Sequence, residues 1–81
     1  MSISICWELV SPAKKHRLPG TSNDWDVFQE VFGNQPLGSG DRSKLIAMHL
    51  ASGLQESLWG ALAEVLDGLP EGSEIEVTGE Y

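Results

Sequence analysis

Along residues 2–10, Ile3, Ile5, Trp7 and Leu9 alternate with Ser2, Ser4, Cys6 and Glu8. This period-two pattern, rich in β-branched and aromatic residues, predicts a half-buried strand with Cys6 on the face opposite Ile5 and Trp7. The alternation is lost between Pro12 and Pro19-Gly20, so Ala13-Lys14-Lys15-His16-Arg17-Leu18 reads as an exposed basic loop. Thr21-Ser22-Asn23-Asp24 then offers capping side chains, and Asp24 and Asp26 suit the positive end of a helix dipole. Trp25, Phe28, Val31 and Phe32 recur at helical spacing before Gly33, which predicts a short helix from about Asp24 to Phe32.

A turn-rich connector, Asn34 to Gly40, leads to Asp41 or Ser43 as the cap of a helix carrying Leu45, Ile46, Met48 and Leu50. At ~100° per residue, Leu54, Leu58, Leu62, Val65 and Leu69 share one arc, whereas those four earlier apolar residues fall mostly on the other side. One straight helix would serve both faces poorly, and Ser52-Gly53-Leu54-Gln55 has the form of a capping box. Two helices are therefore expected, Ser43 to Ala51 and Leu54 to Asp67, the second ended by Gly68 and Pro70. Glu74 to Tyr81 sets Ile75, Val77 and Tyr81 against Glu74, Glu76, Thr78 and Glu80, a strand with an acidic outer face.

The order strand, helix, helix, helix, strand predicts a small two-layer α+β sandwich, one domain over residues 1–81. Its expected core places Ile3, Ile5, Trp7, Leu9, Ile75 and Val77 beneath Phe28, Phe32, Leu54, Leu58, Leu62 and Val65. Two strands alone are marginal and leave open edges. The sheet is accordingly expected to be completed by a third strand from residues 11–20 or by a second chain, a homodimer being the symmetric form of the latter.

Composition narrows function more than fold. With 81 residues, 41% of them hydrophobic, the core is too thin to enclose a deep active site as well. No apolar run spans a bilayer and no basic segment precedes an apolar one at the N-terminus, so no membrane association and a cytoplasmic address are expected. The net charge of -7 is unevenly spread. Residues 1–49 hold every base, Lys14, Lys15, Arg17, Arg42 and Lys44, balanced by Glu8, Asp24, Asp26, Glu30 and Asp41. Residues 50–81 hold Glu56, Glu64, Asp67, Glu71, Glu74, Glu76 and Glu80 and no base. Such a field repels nucleic acid and anionic lipid and attracts a basic partner, although it also serves solubility alone.

Candidate chemistry is sparse. Cys6 has no neighbouring base in sequence and reads as a structural, buried thiol. One cysteine and two histidines cannot close a zinc site, and Asp24, Asp26 and Glu30 read as dipole-compensating acids, so no metal and no cofactor are expected. Proton transfer by His49 would need a carboxylate held against it. Gly38-Ser39-Gly40-Asp41-Arg42-Ser43-Lys44 lacks the spacing of a phosphate loop and is accounted for as a hinge and helix cap. No motif couples a nucleophile, a base and oxyanion donors, so no catalytic residue is assigned. Of the three tryptophans, Trp59 falls away from the leucine arc of its helix and is the candidate for an exposed or interfacial aromatic, a core-edge position being the alternative.

Leu58-Trp59-Gly60-Ala61-Leu62, followed by a strand in a small acidic chain, resembles barstar-like ribonuclease inhibitors over those five residues, while the order of elements elsewhere departs from them. The resemblance implies only that a small acidic domain can block a basic enzyme surface. The expected function is a non-enzymatic protein-interaction domain: an inhibitor, immunity-type or accessory factor. It would engage a basic protein partner through Glu56, Trp59, Glu64, Glu71, Glu74, Glu76 and Glu80. The alternative is a small anion- or nucleic-acid-binding module using Lys14, Lys15, His16, Arg17, Arg42 and Lys44. That reading is disfavoured by the acidic half of the chain and by the lack of an aromatic between Trp7 and Trp25. A structural homo-oligomer without a ligand is a third reading.

Overall fold

The structure, a computed structural model, describes residues 3–9, 16–33 and 35–80. The chain forms β1 (Ser4–Leu9), β2 (His16–Leu18), α1 (Ser22–Phe32), a 3-10 turn (Ser39–Asp41), α2 (Arg42–Ser52), α3 (Leu58–Gly68) and β3 (Ile75–Glu80). The expected α+β order holds, with the third strand supplied from within the chain. The sheet is antiparallel in the order β2-β1-β3. Part of the expected basic loop is therefore strand: His16 and Arg17 lie in β2, whereas Lys14 and Lys15 lie outside the described residues.

Register divides the sheet into two unlike faces. Ile5 lies opposite Leu18 and Gly79, Trp7 opposite His16 and Val77, and Leu9 opposite Ile75. Strand alternation sends Ile5, Trp7, Leu18, Ile75 and Val77 towards the helices, where Ile5, Leu18 and Ile75 are buried. Cys6 faces Arg17 and Thr78, and Glu8 faces Glu76, on the outer side. Cys6 is half-buried there, so the expectation of a buried thiol is corrected: the three described helices pack on the other face of the sheet. The far edge of β3 is met at one point by Leu37, whose N–H and C=O both bond to Ile75.

Helix starts follow local side-chain chemistry. The Thr21 hydroxyl accepts from the Asp24 N–H while the Asp24 carboxylate accepts from the Thr21 N–H, a reciprocal cap that places α1 two residues earlier than expected. Gly53, in the left-handed region at φ 68°, ends α2, so the break expected near residue 53 is present. The expected capping box at Ser52 is not. Ser52 Oγ instead donates to the His49 carbonyl and accepts from the Leu54 N–H, and α3 begins at Leu58 behind Ser57, whose Oγ accepts from the Gly60 N–H.

Leu54 is consequently not a core residue: it lies in the connection, 61% exposed. The buried stripe of α3 is Leu58, Trp59, Leu62, Ala63 and Leu66, with Val65 only half-buried. Trp59, the candidate for an exposed aromatic, is 6% exposed. The leucine arc alone misplaced the stripe because α3 packs on both the sheet and α2, which buries more of its circumference than one amphipathic face. On α1 the Trp25 and Phe28 rings stack with centroids 5.3 Å apart, while Val31 is left exposed.

Candidate functional site

α2 and α3 run as a hairpin, and the seam between them opens into a groove of about 460 Å³. Ligand sites commonly fall in the range of about 300–1,000 Å³. Arg42, Ile46 and His49 contribute one wall, residues that recur on one helical stripe of α2. Ser57, Gly60, Ala61, Glu64 and Asp67 contribute the floor and the facing wall, with Gln55 and Glu56 from the connection closing one end. The lack of a side chain at Gly60 makes room for the His49 ring between the two helices.

His49 locks the hairpin. Its Nδ1 lies 2.7 Å from Ser57 Oγ, and its ring sits on Gly60, where a Cβ would come within 2.8 Å of Nδ1. Because Ser57 Oγ already accepts from the Gly60 N–H, the hydroxyl proton is free to donate to Nδ1 in the tautomer protonated at Nε2. Ser57 is 8% exposed, so one hydroxyl caps α3 and ties it to α2. Among the described residues no carboxylate bonds the His49 ring, the partner that proton transfer would require.

At the opposite end Arg42 Nε lies 3.3 Å from Asp67 Oδ1, with the two side chains 45% and 66% exposed. Glu56 and Glu64 form no ion pair with any described residue, and among the described residues the groove lining carries three acids and one arginine. Leu50 on α2 and Leu54 in the connection are exposed, 74% and 61%, and neither lines the groove.

The expected acidic surface is divided by the fold. Glu56 and Glu64 line the groove, Glu71 and Glu74 lie between α3 and β3, and Glu76 and Glu80 project from the outer face of the sheet beside Glu8. Trp59 belongs to the core and leaves the set. The described members of the basic set each have a different neighbour: His16 stacks on Trp7 with centroids 4.5 Å apart, Arg17 lies on the outer sheet face, Arg42 pairs with Asp67, and Lys44 lies 5.6 Å from the centre of the Phe32 ring. Among the described residues, no group of three or more histidines, cysteines and acids is placed to hold a metal ion. No described helix is long and apolar enough to cross a membrane.

Sequence reasoning missed Ser57 and Gly60 as site residues. The available signal was Ser57 three residues before Gly60 at the start of an apolar run, the spacing of an N-cap and its third helical residue. A scan against protein-family models and searches of curated proteins and of solved structures found no match to this chain.

Proposed function

We propose that this protein is a small, acidic, non-enzymatic interaction domain, of the inhibitor, immunity-type or accessory-factor kind, that engages a basic partner protein across the α2/α3 groove. The observation that supports it is the groove's make-up: acids at Glu56, Glu64 and Asp67 around an apolar lining that includes Ile46 and Ala61. Charge at the rim steers a basic partner into encounter, and apolar contact then holds it.

The test is binding of a fluorescein-labelled amphipathic Lys/Leu peptide to the wild type and to Glu56→Gln/Glu64→Gln. Association should slow as salt rises and should be slower for the double variant. An unchanged on-rate together with salt-independent binding overturns the reading. Salt-sensitive binding to single-stranded DNA or RNA, with none to the peptide, would favour the anion-binding alternative.

A further inference from the structure

We propose a second contact surface at the free edge of the sheet: the outer edge of β3 receives an extended, cationic segment of another polypeptide. That segment pairs through its backbone with Val77 and Gly79, sets a cation beside Glu76 and lays apolar side chains on the Trp25 side of the edge. The surface goes beyond the α2/α3 groove and shares no lining residue with it.

Backbone groups select an extended occupant. β3 is a terminal strand in the order β2-β1-β3. Ile75 spends both its N–H and its C=O on Leu37, at 2.9 Å each, so its polar groups point away from β1. In an antiparallel ladder these groups alternate between the two sides of a strand, and the register with β1 runs unbroken from Ile75 to Glu80. Glu76, Thr78 and Glu80 therefore turn their backbone groups towards β1, while Val77 and Gly79 turn theirs outward. Among the described residues only Leu37 pairs with that edge, so the ladder begun there stops after one bridge. A row of unmet N–H and C=O groups takes an extended chain and not a helix, whose own groups are already bonded.

Side chains select its sequence. A hollow of about 260 Å³ lies along the edge, lined by Trp25, Gly33, Gln35 and residues 76–79. Val77 and Gly79 share the inner face, where the Trp25 ring lies directly beneath Gly79. On the outer face Glu76 lies opposite Glu8 and forms no ion pair with any described residue. Like charges facing each other across a ladder are unfavourable and opposite charges favourable, so a strand with lysine or arginine beside Glu76 is preferred to a neutral or acidic one. Facing residues of an antiparallel pair share a face, which puts apolar residues opposite Val77 and Gly79 and cations between them. A second copy fits less well: the symmetric register that pairs Val77 with Gly79 sets Glu76 against Glu80 twice.

The probe is a fluorescein-labelled peptide of about eight residues alternating lysine and valine, long enough to span the edge. One form is N-methylated on the lysine backbone nitrogens, a second on those of valine, so that charge and composition are equal. Only the first keeps the valine N–H groups that would meet Val77 and Gly79. In anisotropy titrations it should bind the wild type about tenfold more tightly than the second, the equivalent of losing two backbone hydrogen bonds. It should also slow hydrogen exchange at the Val77 and Gly79 amides. Glu76→Gln, at an exposed position, should weaken binding about two- to fivefold without moving the unfolding midpoint. Glu56→Gln/Glu64→Gln should leave it unchanged. Equal binding of the two forms, or no binding of the first, overturns the edge as a site and leaves the groove reading to its own test. Binding lost in Glu56→Gln/Glu64→Gln and kept in Glu76→Gln overturns the edge in favour of the groove. A wild-type dimer seen by sedimentation, with the Val77 and Gly79 amides protected in it, overturns a foreign strand as the occupant.

Discussion

Gly79 and Gly60 each lie under a ring, and the two contacts differ in what the ring can do. A Cβ at Gly79 would come within 2.5 Å of Trp25 Cε2, and one at Gly60 within 2.8 Å of His49 Nδ1. Trp25 is 8% exposed and stacks on Phe28, so displacing its ring disturbs a second core aromatic. His49 borders the open groove and is only half-buried, so its ring can swing outward. Similar steric demands therefore carry different costs. The Gly79 contact lies in the aromatic core with Trp25 and Phe28, and its glycine protects stability. The groove contact is polar and has room to move, and its glycine protects the shape of a surface.

The strongest way to sharpen that contrast is to remove a side chain from the core side altogether. Leu62 is fully buried on α3, so Leu62→Ala should destabilise the fold by about 2–5 kcal/mol in denaturant unfolding. A loss within experimental noise would show that the inner stripe of α3 is not packed as described. Gly79→Ala probes the seat itself: displacing Trp25 should cost about 1–3 kcal/mol, read from unfolding together with a change in tryptophan emission. Unchanged stability there would mean that the Trp25 seat is as forgiving as the groove, and the comparison would collapse. The smallest effect is expected for Gly60→Ala. The gain in helix propensity, about 1 kcal/mol, offsets the displaced ring, so stability should change by less than that while NMR shows His49 released from Ser57. A large loss of stability in this variant would place His49 in the core rather than at the lip of a groove.

The two edges of the sheet differ as well. The two strands apparent in the sequence raised the question of a partner chain, and β2 answers part of it from within. It is only three residues long, without the alternation that marks Ser4–Leu9, so no sequence period announced it. Its pairing depends on β1 being already in place, with Leu18 opposite Ile5. Short edge strands of this kind are made by tertiary contact and also limit unwanted pairing.

Local chemistry in the sequence was sufficient for the strand around Ile5, the capped helix around Trp25 and Phe28, the break at Gly53 and the acidic outer face of β3. Each depends on periodicity or on a side chain bonding to backbone within a few residues. The start of α3 was misread because Ser52 and Ser57 offer similar capping chemistry and only packing chooses between them: Ser57 is the one whose hydroxyl also meets His49 from the neighbouring helix. Burial of Trp59, exposure of Leu54 and the division of the acids between groove and sheet were decided by the fold alone, because a helix buried on two sides has no single apolar face for a sequence to display. The groove belongs to the same category. Arg42 and Asp67, like His49 and Gly60, are distant in sequence, and it is the antiparallel packing of two helices that turns scattered charges and small residues into one surface.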